Sequence, residues 1–360
     1  MATNIKIKNY LKLSNTKISA ERMREILIKH NDILKEDKFL NLLYQIGKLA
    51  KIEIERAKRI NIDMQLKILE DKEISIITFK DPDYPFNLKN FPDAPPILYF
   101  KGKFLSKDNN AVAIVGTRRA TEYGKTVARN LAKELSCRGI TIISGLARGI
   151  DTQAHLGALE GNGRTIAVMG TGIDRIYPPG NKNLASKIIT KGLLMTELPP
   201  FSLPLRYHFP SRNRIISGLS KVVVAIQAPL KSGVFSTVKW ALDYGRDVYA
   251  LPGDITTEVS KGTNRLIKMG AIPITGYKDI LDNSELEINN KKEIKQKKII
   301  NLSEDEKRLY DLIEASPKTL DTLVHESNMK VEKILNLLIH LEINGLVREV
   351  SGKRFIRENI

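Results

Sequence analysis

From residue 111 to about 280 the chain repeats one unit: a short unbroken apolar run, a loop, then an amphipathic stretch. The runs are Val112–Val115, Thr141–Ile143, Ile166–Val168, Leu193–Met195, Val222–Ile226, Val248–Ala250 and Ile272–Ile274. Strands apolar on both faces belong to a parallel sheet covered by helices on either side. The intervening stretches, such as Thr126–Cys137 and Ser236–Tyr244, carry the helical period. Alternation of this kind requires right-handed crossovers, so the expected fold is α/β, an extended Rossmann-like doubly wound sheet, mostly parallel.

The first of these runs stops at Gly116-Thr117-Arg118-Arg119, and a helix pattern follows. A buried strand, a tight turn and a helix N-terminus together present free N–H groups to an anion. Two arginines at the turn, in place of the glycines of a dinucleotide fingerprint, point to a phosphate chain held by charge. Loops after the other runs would meet at the same sheet edge. They bring Gly145, Arg148 and Gly149, then Gly170-Thr-Gly-Ile-Asp-Arg175, Tyr177-Pro-Pro-Gly-Asn181 with Lys182 close behind, Arg206-Tyr-His-Phe-Pro-Ser-Arg-Asn-Arg214, and Lys231-Ser-Gly233. Arg118, Arg119, Arg148, Arg206, Arg212 and Arg214 are candidate phosphate ligands, with Tyr207 and Phe209 as stacking surfaces for splayed bases. A basic groove beside an aromatic platform is how single strands are held. The opposing reading of Arg212-Asn213-Arg214 is helix capping and an ion pair with Glu197.

Charge distribution agrees. The chain carries 58 basic and 41 acidic side chains, a net charge of +17. Residues 111–280 hold +12 of it, residues 1–110 hold +6, and residues 281–360 hold −1. A polyanion is the expected partner of the middle block. A single cysteine, Cys137, leaves no intramolecular disulfide and fits a reducing, cytoplasmic setting. No long apolar segment reads as a membrane span, and the polar N-terminus lacks a signal-peptide core.

Catalytic patterns are scarce. There is no Gly-x-x-x-x-Gly-Lys-Ser/Thr sequence, no His-Glu-x-x-His pair and no Gly-x-Ser-x-Gly elbow. Neither a cofactor nor a metal is expected. Asp151 reads as a cap at a helix start, His155 as packed against the sheet, and Cys137 and Trp240 as core.

Outside the sheet, residues 1–73 read as a small helical domain. Ile26, Leu27, Ile33, Leu34, Leu40, Leu42, Leu43, Ile46, Leu49 and Ile54 mark its apolar face. Residues 74–283 form the core, with short lead-in strands at Ile74–Ile77 and Ile97–Phe100. Residues 284–299 read as a polar tether, including the basic cluster Lys291–Lys298. Residues 300–360 form a winged helix: a capping box at Ser303 and Glu306, helices at Leu320–His325 and Val331–Ile343, and a hairpin of Val347–Val350 with Arg354–Arg357, turned at Ser351-Gly352. Its third helix is mostly apolar, with Lys330 and Lys333 set against Glu332 and Glu342. A protein contact is the expected role, rather than duplex binding.

An ordered set of motifs names a family. These are Val112-Ala-Ile-Val-Gly-Thr-Arg118, Ser144-Gly-Leu-Ala-Arg-Gly-Ile-Asp151, Gly170-Thr-Gly-Ile-Asp174, His208-Phe-Pro-Ser-Arg-Asn-Arg214, Leu251-Pro-Gly253 and Gly262-Thr-Asn-Arg-Leu-Ile267. The chain resembles the DNA-processing protein A (DprA, or Smf) family. That resemblance implies a homodimeric, non-catalytic single-strand-DNA binder that loads the RecA recombinase during natural transformation. It places DNA phosphate on Gly116, Thr117 and Arg118, a further contact on Arg206 beside Phe209, and dimer contacts at Leu266, Ile267 and Met269. It also suggests a SAM or helix-hairpin-helix type for the N-terminal domain, although few glycines support the latter. A nucleotide-cleaving enzyme of the lysine-decarboxylase-like Rossmann group is the alternative. The stretch where that group places a catalytic glutamate, Ala228–Thr237, contains no acid.

Overall fold

The computed structural model describes residues 2–16, 18–29, 40–41, 51–287, 302–313, 317–350 and 353–357. Ile33, Leu34, Leu42, Leu43, Ile46 and Leu49, the tether beyond residue 287 and the Ser351-Gly352 turn lie outside the described residues. No helix among the described residues is long and apolar enough to cross a membrane.

Among the described residues, helices α1 (Ala2–Ser14), α2 (Ala20–Lys29), α3 (Lys51–Lys58) and α4 (Ile62–Asp71) precede β1 (Ser75–Thr78), α5 (Phe86–Lys89) and β2 (Ile97–Gly102). The alternating region then runs β3 (Ala111–Val115), α6 (Glu122–Cys137), β4 (Thr141–Ser144), α7 (Ile150–Glu160), β5 (Thr165–Val168), α8 (Lys182–Lys191) and β6 (Leu193–Thr196). It continues with α9 (His208–Leu219), β7 (Val222–Ala225), α10 (Val234–Asp243), β8 (Asp247–Ala250), α11 (Glu258–Lys268), β9 (Ile272–Pro273) and α12 (Tyr277–Asp282).

These strands form one nine-stranded sheet in the order β1-β2-β6-β5-β4-β3-β7-β8-β9. Strands β3 to β9 are mutually parallel, while β2 runs antiparallel to β6 and β1 antiparallel to β2. Successive strands step outward from β3 to β6, then the chain returns to β3's other side for β7. The loops after β3 and β7 therefore part, opening a crevice at the carboxyl edge.

Every residue of β3 is buried. Val112 and Ile114 join one core with Leu131 and Leu135 of α6, while Ala113 and Val115 join the other with Ile215 and Ile216 of α9. Two-residue alternation thus feeds two helical layers from one strand. The second core extends without a break into the N-terminal helices through Tyr10, Leu11, Met23, Ile26 and Leu27. Ser14 Oγ lies 2.8 Å from Tyr99 Oη of β2, and Arg24 Nη1 donates to the carbonyls of Lys89 and Phe91.

The C-terminal unit comprises α13 (Glu304–Leu312), β10 (Lys318–Thr319), α14 (Leu320–Ser327), α15 (Val331–Ile343), β11 (Val347–Val350) and β12 (Arg354–Arg357). Ser303 and Glu306 form the expected capping box on α13. The sheet order is β10-β12-β11, so the hairpin gains a third strand that the sequence pattern did not mark.

Two side chains expected in the core are not there. Cys137 is exposed in the last turn of α6. Trp240 is half-buried, because α10 presents Val234, Thr237, Val238 and Ala241 to the sheet and leaves Trp240 to pack on Tyr244, 5.6 Å away.

Candidate nucleic-acid interface

At the carboxyl edge, the loops after β3 and β7 are joined by backbone bonds before they part. Thr117 N donates to Gln227 O at 2.7 Å, and Ile150 N at the start of α7 donates to Thr117 O at 3.3 Å. Gln227, only 3% exposed, uses its side-chain amide to hold Thr121 N and Oγ1, at 3.0 and 2.9 Å. The Gly116–Arg119 turn is thereby fixed from three sides, while Arg118 and Arg119 remain exposed.

The loop after β4 is fixed from below. Asp151 Oδ2 accepts from Gly145 N at 3.1 Å and Ala147 N at 3.3 Å. Asp151 therefore caps the preceding loop, and burial raises its pKa against the opposing pull of Arg212. His155 is fully buried, with Nδ1 2.7 Å from Thr165 Oγ1.

Above this base two hollows meet. The larger, about 700 Å³, is lined by Gly116, Thr117, Arg118, Arg119, Arg206 and Lys231 around a floor of Arg212 and Asn213. The smaller, about 320 Å³, adds Arg148 to Arg118 and Arg119, and Tyr177 lines both. So does Phe209. Its ring centre lies 5.1 Å from the Arg118 guanidinium carbon and 5.8 Å from the Tyr177 ring. A Cβ on Gly170 would come within 2.8 Å of that ring, so the glycine is what admits it. Cations on an edge of helix and strand termini, with rings between them, make a surface for a phosphate chain and flat bases.

The same stretch of chain matches the model of one family. Residues 75–285 fit DNA recombination-mediator protein A, and residues 295–353 fit the DprA winged helix domain. The chain belongs to the DNA recombination-mediator protein A family. Among curated members, Protein Smf of Synechocystis is 35% identical, over 80% of this chain and 81% of its own. The DNA processing protein DprA of Streptococcus pneumoniae is 34% identical, over 77% of this chain and 98% of its own. The X-ray structure of the pneumococcal DprA superposes with a TM-score of 0.69 at 35% identity, covering 78% of this chain and 99% of that one. DNA processing protein A from Helicobacter pylori, whose structure is described as giving insight into a unique single-stranded DNA binding mode, has a TM-score of 0.52 at 33% identity, covering 58% of this chain and 94% of that one.

In this member of the DprA family, the site residues named from sequence separate into three groups. Gly116, Thr117, Arg118, Arg119, Arg148, Arg206, Phe209 and Lys231 come together around the two hollows. Lys182 is exposed at the first position of α8 and lines neither. Arg212 and Asn213 form the floor of the larger hollow but are only 5% and 9% exposed, while Arg214, 6% exposed, lines neither hollow and follows the opposing ion-pair reading. Arg214 pairs with Glu197 and, at 3.6 Å, with Asp93, so its charge is neutralised inside the fold. Arg212 donates to Val168 O, and burial lowers its pKa to about 10. Asn213 Nδ2 donates to Gly233 O at 3.3 Å. Leu266 is likewise 3% exposed, within the core, whereas Ile267 is half-buried and Met269 is 66% exposed. The sequence reading missed Tyr177 as a partner of Phe209 and Gln227 as the brace of the turn. An exposed aromatic before two prolines was the available signal for the first; nothing local marks the second.

Proposed function

We propose that this protein binds single-stranded DNA along the basic carboxyl edge of its sheet and, without catalysis, presents the strand to the RecA recombinase, as a homodimer. The observation that carries the reading is the convergence of Arg118, Arg119, Arg148, Arg206 and Lys231 around Phe209 and Tyr177. Guanidinium and ammonium groups there neutralise phosphates, while the rings accept bases of any identity. Membership of a recombination-mediator family and the DNA-binding description of the Helicobacter pylori relative support it. Asp151, the carboxylate at the base of this edge, is enclosed beneath the loops, where it accepts from Gly145 N and Ala147 N. That placement suits scaffolding rather than bond cleavage.

Replacing Arg118 and Arg206 together with alanine should weaken binding to a dT oligonucleotide by at least about tenfold, roughly 1.4 kcal/mol. The log–log salt slope should flatten by about 0.7 for each phosphate contact removed. Fluorescence anisotropy across a salt series measures both. An unchanged affinity in the folded double variant would rule the edge out.

A further inference from the structure

A second hollow of about 700 Å³ lies beside the basic groove, between the N-terminal helices and the core. One wall carries Thr16 and Ala20; the other carries Ser202, Tyr207, His208 and Ser211. Segment 206–211 divides the two spaces. Arg206, Phe209 and Pro210 line the basic groove, while Tyr207, His208 and Ser211 line the other. A strand held at Arg206 needs only to cross this ridge to enter the cleft.

The chemistry of the cleft differs from that of the groove. Among the described residues its charged lining groups are Arg214 and Glu197, which pair with each other. A phosphate gains nothing there, but an uncharged ring does. Tyr207 is 66% exposed, its ring centre 4.6 Å from that of His208 at a steep angle. The polar groups around it offer acceptors. Thr16 Oγ1 donates its proton to Leu13 O at 2.7 Å, and Ser202 Oγ donates to Pro199 O at 2.7 Å. Each hydroxyl oxygen keeps acceptor capacity at the cleft wall, Thr16 Oγ1 also receiving Ile18 N at 3.5 Å. His208 Nδ1 lies 3.0 Å from Leu203 O, and a carbonyl only accepts. Nδ1 therefore carries the proton in the neutral ring, and Nε2 is an acceptor.

We infer that this cleft receives one base of the bound strand, stacked on Tyr207, and favours bases with an exocyclic amine over thymine. The inference rests on the single-strand reading above and extends it to local base preference and to a DNA-contacting role for the N-terminal helices. Cytosine and adenine present an N–H₂ donor to the acceptors of the cleft. Thymine presents a carbonyl at the same edge, leaving acceptor facing acceptor.

The test uses the full chain and equal-length dC and dT oligonucleotides at neutral pH. The chain should prefer dC by about threefold to tenfold, the span expected of one discriminating hydrogen-bonded contact. Ala20→Trp, which fills the cleft from the N-terminal wall, should abolish that preference, and Ala20→Ser should keep it. Photo-crosslinking of the unsubstituted chain to an oligonucleotide containing 5-iodocytosine should mark peptides covering residues 14–20 or 207–211. Equal affinity for dC and dT, with crosslinks confined elsewhere in the core, overturns the cleft. Failure of the Arg118 and Arg206 double substitution to weaken either oligonucleotide overturns the parent reading instead, so the two failures are distinct.

Discussion

His155 and Arg214 are single buried groups with separate consequences for the core. Thr165 Oγ1 donates to Ile142 O at 2.8 Å, so the 2.7 Å contact with His155 must carry the proton on Nδ1. Burial, with Arg212 nearby, keeps the imidazole neutral and lowers its pKa from 6.5 to about 3. As pH falls through 6.5 the unfolded chain takes up this proton and the folded chain does not. Stability from this group is complete above about 6.5 and is lost progressively toward about 3. Between pH 7 and pH 5 the loss should be roughly 2 kcal/mol. Thermal melts at the two pH values should show it in the parent chain and show a smaller drop in His155→Gln. Equal drops would mean the ring is protonated in the fold. Arg214 teaches a different lesson, about reading. Its sequence context, Arg-Asn-Arg beside an aromatic, looks like a phosphate clamp. What turns it inward is Asp93, from the lead-in segment, together with Glu197 after β6. The pair with Glu197 is the opposing reading that the sequence left open for this stretch; nothing local marks Asp93, far earlier in the chain, which is why the burial of this arginine was harder to read than the group of exposed cations.

At the scale of elements the sequence was far more informative. Each apolar run from residue 111 onward is a strand, with ends displaced by a residue or so, because a strand buried on both faces must be apolar throughout. Helices α14 and α15 and the hairpin β11–β12 likewise fall where periodicity put them. The two-residue strands escape this logic. Lys318–Thr319 pairs with Phe355 and Arg354, and so short a segment has no period to read. Packing between elements was also invisible, and glycine governs some of it. Helices α6 and α7 approach so closely at Gly157 that a Cβ there would lie 2.0 Å from Arg129 O. Backbone cannot yield as a flexible side chain would. Gly157→Ala should therefore destabilise the core by about 1–3 kcal/mol, seen as a lowered melting temperature. A melting temperature equal to the parent's would show that the helices can part without loss.

For the molecule as a whole, positive charge and apolar surface are segregated. The core edge gathers the cations, while α15 exposes Val331, Leu335, Ile339 and Ile343 along one side. Lys333 at that helix is paired with Asp305 at 2.5 Å. A helix entering the major groove needs donors and acceptors for base edges and cations for the flanking phosphates. This one offers methyl groups. Lys330→Glu with Lys333→Glu should leave gel retardation of duplex DNA by the full chain unchanged, and a lost shift would assign duplex contact to the winged helix. The buried Arg214 cluster has a wider effect. Tyr244 Oη donates to Asp93 at 2.6 Å, so one carboxylate ties the lead-in segment, the helix behind the Arg206–Phe209 ridge and the end of α10 into a single joint. The ridge is consequently set in place before any strand arrives. On the proposed single-strand binding, capture loses little conformational freedom, and its speed is governed by long-range attraction between a basic rim and a polyanion instead of by a rearrangement of the protein.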